Sequence, residues 1–261
     1  MRLKDSFVGR KPHNLKKIIN KAFNYSLNDR WQEFFSYFFV EFVNRFPEWF
    51  LKLFNEKKIC PICKFETYSF IHLSNHREIS WNSACQRCDS RSRHRGLFFL
   101  YKKYISNQSN RKILHFAPEI ILSTLFKKNN NLYFTTDLHM KNVDYPKEDI
   151  QNLSFEDSTF DVVLCNHVLE HVKNDIKALE EISRVLKTNG IAIITIPGNW
   201  KSKQTIPQNP FINNGHYRHY GLDIESFMKK KFNVVRRVNM NTPQVKLHAI
   251  KKLEVAYICE K

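Results

Sequence analysis

Beyond Arg111 the chain alternates short apolar runs with segments of helical length, and that alternation leaves few folds open. Runs at 112–116, 132–136, 160–165 and 191–196 read as strands. The stretch 175–186 between the last two has helical periodicity, with Gly190 placed to end that helix, and further strands are expected at 232–238 and 254–259. This is the pattern of a parallel sheet covered by helices. Such sheets bind ligands at the carboxyl ends of their strands. Asp137 follows the second strand, where a carboxylate can accept hydrogen bonds from the ribose hydroxyls of a nucleoside. Asp149 with Ile150 adds a carboxylate and an apolar neighbour suited to the edge and face of a purine.

Upstream, Cys60-Pro-Ile-Cys63 and Cys85-Gln-Arg-Cys88 form two Cys-x-x-Cys knuckles. Each places two thiolates on one tight turn, and two turns complete a tetrahedral zinc site. With all four positions filled by protein, such an ion is structural and fastens a hairpin too small to fold unaided. Lys64 and Asp89 stand where zinc knuckles often carry Gly. Next comes Arg91-Ser-Arg93-His94-Arg95, read either as a solvated basic face or as a contact for an anionic substrate or nucleic acid.

The first segment reads as one or two amphipathic helices. Trp31, Phe34, Phe35, Phe38 and Phe42, then Phe46, Trp49, Phe50 and Leu53, recur at three-and-four spacing, and Pro47 marks a break. This aromatic face packs on the rest of the protein, forms a homodimer interface or lies on a membrane surface. Glu33, Glu41 and Arg45 interrupt it too closely for a bilayer span. No signal peptide or transmembrane helix is expected, so the reading is cytoplasmic, where clustered Cys bind metal more often than they form disulfides. The 42 Lys and Arg against 25 Asp and Glu leave a net charge of +17. That excess is spread along the chain and not held in a tail, so it modifies substrate preference without naming one. Three regions result: a helical segment 1–58, a zinc-ribbon-like module 59–96 and an α/β domain 97–261.

The residues then resemble a family. Asp149-Ile-Gln-Asn-Leu-Ser-Phe155, Phe160-Asp-Val-Val-Leu-Cys-Asn-His-Val-Leu-Glu-His-Val172 and Arg184-Val-Leu-Lys-Thr-Asn-Gly190 are similar to segments of class I S-adenosylmethionine-dependent methyltransferases of the type 11 group. The resemblance is strongest to a subgroup in which a Cys-x-x-Cys zinc ribbon precedes the domain, the first strand ends in Phe116-Ala117-Pro118-Glu119, and a later His216-x-Arg218-x-Tyr220-Gly221 pattern occurs. It implies a Rossmann-like, mostly parallel sheet with the last strand antiparallel. It also implies that S-adenosylmethionine is held by Phe116 to Glu119, by Asp137 at the ribose, by Asp149 and Ile150 at the adenine, and by Asn166 and His167 at the methionine side. One departure is the absence of Gly between Arg111 and Leu132, where most class I enzymes carry Gly-x-Gly.

For methyl transfer a neutral His suits the removal of a proton from an oxygen or nitrogen acceptor. The candidates are His167, His171, His216 and His219, with His167 preferred because it follows a strand end; His167 and His171 share a face if their segment is helical. His167-Val-Leu-Glu170-His171 also resembles a Glu-x-x-Glu-His segment that binds a divalent metal in some RNA 2′-O-methyltransferases and quinone-biosynthesis methyltransferases. The expected function is methyl transfer to a small-molecule or glycan-type acceptor. The alternatives are an RNA methyltransferase that grips phosphate with the ribbon and the Arg91 to Arg95 stretch, and a non-catalytic zinc-bearing binding module.

Overall fold

The computed structural model describes residues 16, 19–20, 31–75, 78–106, 109–126, 131–240, 245–250 and 255–261. Most of the first 30 residues of the expected helical segment, and residue 254 of the last expected strand, lie outside them. Two compact units divide the chain: Met1–Lys102 with Met240–Glu254, and Lys103–Asn239 with Val255–Lys261. The sequence reading placed 97–261 in one α/β domain, whereas the described residues 245–250 group with the cysteine module.

In the first unit α1 (Trp31–Val43) and α2 (Glu48–Phe54) meet at Pro47, which starts the second helix as its missing N–H allows. Of the aromatic face, Phe35, Phe38 and Phe42 stay more than half exposed. The cysteine module consists of β1 (Lys58–Ile59), β2 (Glu66–Thr67), β3 (Ile71–Asn75) and β4 (Glu78–Ala84). The strands form two antiparallel hairpins. The knuckles are built alike: Lys64 N–H donates to the Cys60 carbonyl and Asp89 N–H to the Cys85 carbonyl, each at 2.9 Å. Lys64 (φ 61°) and Asp89 (φ 54°) adopt the left-handed conformation usually given to Gly.

Next comes α3 (Ser92–Tyr104), and the basic stretch forms its first turn. This overturns the solvated or anion-binding reading for Arg95, which is fully buried. Its guanidinium donates to the backbone carbonyls of Asn82, Ser83, Ser90, His248 and Ala249 at 2.6–3.2 Å. Burial pushes Arg95 down to about 10, opposed by the negative charge of Cys60, Cys85 and Cys88, so it stays cationic at neutral pH. It therefore staples 248–249 to the cysteine module and offsets part of the thiolate charge. Gly96 serves the same packing, since a Cβ there would lie 3.0 Å from that of Met240.

In the second unit β5 (Lys112–Phe116), β6 (Leu132–Asp137), β7 (Tyr145–Pro146), β8 (Phe160–Asn166), β9 (Leu186–Thr195), β12 (Val234–Asn239) and β13 (Val255–Glu260) make one sheet. Its order is β12-β13-β9-β8-β5-β6-β7. Pairings from β9 to β7 are parallel, and β13 runs antiparallel to both β9 and β12. The central strands are continuous apolar runs because both faces are covered, and Val162 through Cys165 have no exposure. Helix α4 (Ile120–Phe126) follows β5, and α5 (Asp175–Val185) lies between β8 and β9. The α5 helix buries Ala178, Leu179, Ile182 and Val185 at helical spacing, and the Asn174 side chain caps it by accepting from Lys177 N–H at 3.1 Å. Gly190 does not end this helix. The chain passes from Val185 directly into β9, Asn189 takes the left-handed position (φ 63°), and Gly190 lies where a Cβ would come within 2.8 Å of the Lys187 carbonyl.

Among the described residues no helix is long and apolar enough to cross a membrane. None of the six cysteines is in a disulfide. Burial pushes His72 of the first unit and His115 of the second down to about 4. Unfolded imidazoles titrate near 6.5, so the unfolded chain takes up these protons first as pH falls. Stability should fall from about pH 6.5 down to pH 4, by up to about 3 kcal/mol for each His, and then level off in this contribution. Urea unfolding across that range checks this; a flat profile would show that neither His is buried neutral.

Candidate active site

The carboxyl ends of β5, β6 and β8 open on a cavity of about 800 Å³. Strand order sets out its parts. Phe116 and Ala117 leave β5 at the centre, Asp137 ends the neighbouring β6, and His167 follows β8 on the other side. Asp137 is held by its own turn, with Oδ1 accepting from the N–H groups of His139 and Met140 at 2.6 and 2.7 Å. Its Oδ2 makes no hydrogen bond among the described residues, so an acceptor is left for a ligand hydroxyl.

Asp149 and buried Ile150 line the same cavity. Their loop is fastened from behind by α5. Arg184 donates to the carbonyls of Phe155 (2.7 Å) and Leu153 (3.0 Å) and to Glu181 Oε1 (2.8 Å), and Glu181 Oε2 accepts from Leu153 N–H at 2.7 Å. The Arg184 guanidinium holds the Glu181 carboxyl below the usual carboxylate range. Sequence reasoning gave this pair no role, although Arg184 stood in a quoted motif. The motif thereby has a physical use: it positions the loop that carries Asp149 and Ile150.

No glycine lies at the end of β5, yet the backbone still turns sharply there. Ala117 takes φ 46° and donates its N–H to the Thr136 carbonyl at 2.9 Å, and His167 takes φ 52° and donates to the Thr195 carbonyl at 2.9 Å. Two left-handed non-glycine residues bordering one cavity are the kind of strain that gathers at functional sites.

Some candidates fall elsewhere. The Asn166 side chain is buried in the sheet, where its Nδ2 donates to His115 Nε2 at 3.2 Å, and it does not line the cavity. His115 Nδ1 in turn meets the Tyr133 hydroxyl at 2.8 Å, so a polar ladder fills the place under the first loop. Pro118 and Glu119 are also outside the lining; the Glu119 carbonyl accepts from Leu122 and Ser123 at the start of α4. His219 belongs to β11 (Arg218–His219), paired with Ile206 of β10 (Ile206–Pro207), and is likewise outside.

His167 and His171 both line the cavity but not as one helical face, because only a short 3₁₀ turn, Leu169–His171, follows the left-handed His167. His167 Nδ1 is 3.2 Å from Glu170 Oε1, and its Nε2 is buried with no hydrogen-bond partner among the described residues. The His216 ring meets that of His171 edge to face at 4.7 Å between centroids. Burial holds His216 below its ordinary value, and the Glu170 carboxylate opposes this.

The later motif explains how that loop is held. Arg218 donates to the carbonyls of Leu169 (3.0 Å), Val172 (2.6 Å) and Lys173 (2.8 Å), and the Tyr220 hydroxyl donates to Asp175 Oδ2 at 2.9 Å. Gly221 is required by packing, since a Cβ there would lie 2.4 Å from the Gln204 backbone.

Comparison with known proteins addresses the same domain. Residues 121–194 match the family model described as a methyltransferase domain. This part of the chain is similar to methyltransferase domains. The sheet is Rossmann-like, mostly parallel with an antiparallel last strand. An uncharacterised protein of Methanocaldococcus jannaschii is 35% identical over 116 residues, 42% of this chain and 49% of that protein. The ubiquinone/menaquinone biosynthesis C-methyltransferase of Hydrogenovibrio crunogenus is 49% identical over 49 residues, 19% of each chain. The chain thus spans half or less of the curated relatives it matches. A solved S-adenosylmethionine-dependent methyltransferase from Archaeoglobus fulgidus has a TM-score of 0.47 at 16% identity, covering 63% of this chain and 93% of its own. The matched segment runs from α4 into β9 and so includes Asp137, Asp149, Ile150 and His167.

Proposed function

We propose that this chain is an S-adenosylmethionine-dependent methyltransferase of the zinc-ribbon subgroup, acting in the cytoplasm on an oxygen or nitrogen of a small-molecule or glycan-type acceptor. The observation that carries the reading is the cavity itself, which brings Asp137, Asp149, Ile150 and His167 together at the strand ends. Its volume is of the order of ligand pockets in general. The donor set fits the cofactor: carboxylates at Asp137 and Asp149 for hydroxyls and an amino edge, and Ile150 with Phe116 for an apolar face. When bound, the cofactor supplies a methyl group on a sulfonium that is already activated for displacement.

The protein's work is then alignment, exclusion of water and removal of one proton. Glu170 Oε1 lies 3.2 Å from His167 Nδ1 and orients the ring that lines the cavity, and His167 is our candidate for taking the acceptor's proton. Lys173, Phe211 and Tyr217 line the cavity as well and suit an acceptor with both a polar and an apolar part. Burial of Arg95 removes one of the cations on which an RNA-gripping ribbon would rely.

Incubation with methyl-labelled cofactor and a fractionated cell extract should place label in a small-molecule fraction, and magnetic resonance of the product should show methyl on oxygen or nitrogen. His167→Ala should lower the rate by about 100-fold. Label confined to RNA, or a methyl on carbon, would overturn the acceptor assignment. No detectable binding of cofactor by folded protein would favour the non-catalytic module.

A further inference from the structure

We propose that Glu170, His171 and His216 form a site for a divalent transition-metal ion beside the cavity, which His171 lines. One ligand atom from each can be chosen so that all lie within 4.8 Å of one another. Ligation at roughly 2.0–2.2 Å draws such atoms closer, which His171 and His216 can do because both reach solvent. Two imidazoles and one carboxylate suit zinc, iron(II) and related ions, and leave coordination positions open to water or to an oxygen of the acceptor.

Three features of the surroundings favour an ion over a simple hydrogen-bonded cluster. Glu170 is 1% exposed, and while its Oε1 meets His167, its Oε2 is buried with no hydrogen-bond partner among the described residues. A buried carboxylate oxygen is costly unless something positive meets it. Secondly, His171 Nδ1 lies 3.2 Å from the Gly215 carbonyl and donates to it, which directs the lone pair to Nε2. A backbone carbonyl fixing the tautomer is the usual support behind a metal-binding imidazole. Gly215 is needed for this approach: it takes φ 83°, and a Cβ there would lie 3.1 Å from His171 Nδ1.

Thirdly, the loop that delivers His216 is locked to the turn that carries Glu170. Tyr217 N–H donates to the Glu170 carbonyl at 2.8 Å, and Arg218 holds the carbonyls on either side of it. The set therefore differs from the contiguous His167, Glu170 and His171 segment. His167 bonds Glu170 from outside the cluster, and the third ligand comes from a separate loop. The Cys cluster is a different site, with thiolates only.

The test is titration of full-length, zinc-loaded protein with Co²⁺, followed by calorimetry and visible absorption. One Co²⁺ per chain should bind beyond the cysteine-held zinc, without thiolate charge-transfer bands. His216→Ala, on a part-exposed loop, should weaken it by about 100-fold with an unchanged circular dichroism spectrum, and Glu170→Gln should do the same. Absence of Co²⁺ binding beyond the zinc, or equal affinity in folded His216→Ala protein, would overturn the site. S-adenosylhomocysteine binding is measured on the same sample. Cofactor binding without Co²⁺ sinks the metal site alone, and Co²⁺ binding without cofactor sinks the methyltransferase reading alone.

Discussion

Removing the metal from the cysteine cluster should melt the first unit. The Sγ atoms of Cys60 and Cys88 lie 3.7 Å apart and those of Cys63 and Cys85 3.6 Å apart, and all four ligand atoms fall within 4.8 Å of one another. Both knuckles have the left-handed residue that lets a tight turn present two thiolates. Hydrogen bonds from Cys63, Cys85 and Cys88 hold the Cys60 thiol below its ordinary value, whereas Cys63 and Cys85 are held above theirs. This arrangement fits zinc. Strands β1 and β2 are only two residues each, so the first hairpin has almost no ladder of its own. Structural zinc contributes about 10–16 kcal/mol in small modules, as much as a whole domain's stability. A strong chelator, or Cys85→Ser, should therefore change the fluorescence of Trp31, Trp49 and Trp81, which lie in this unit, while Trp200 lies in the other. Elemental analysis should find one zinc per chain. Chelator-resistant spectra together with no zinc would remove the assignment.

The parts of this fold that could be read in advance are those in which a residue's role is set by its near neighbours. Val162 to Cys165 must be a covered strand because no polar residue interrupts them, and Asp137 can be placed by its position after a strand. Features set by distant partners were misread. Gly190 looked like a helix end, but Asn189 and Gly190 exchange hydrogen bonds with Lys261 and are drawn into β9. Arg95 looked like a surface cation, but the His248 and Ala249 carbonyls that bury it lie far along the chain. Asn166 follows the same logic. Its position at the end of β8 suggested a ligand contact, whereas the buried His115 and Thr195 side chains turn it inward. The left-handed Ala117 carried no signal at all, because alanine rarely takes that conformation and nothing local demands it.

Asp137→Ala should cost about 1,000-fold in affinity for S-adenosylhomocysteine. A carboxylate that accepts two ribose hydroxyls makes two charge-assisted hydrogen bonds, each of about 1.5–3 kcal/mol. Their loss leaves the hydroxyls facing an apolar methyl in a cavity partly closed to water. Effects on the fold should be small by comparison. Among the described residues the side chain accepts only from His139 and Met140, both exposed, so its removal costs about 1 kcal/mol, as for a lost helix cap. Asp137→Asn separates charge from shape. It keeps an acceptor oxygen but not the charge, and should fall between wild type and alanine. Calorimetry with S-adenosylhomocysteine and a thermal melt on each variant read the two effects independently. Wild-type affinity in Asp137→Ala would mean that the cofactor, if bound at all, does not lie across the carboxyl end of β6, and with it would fall the roles of Asp149 and Ile150, which rest on the same placement.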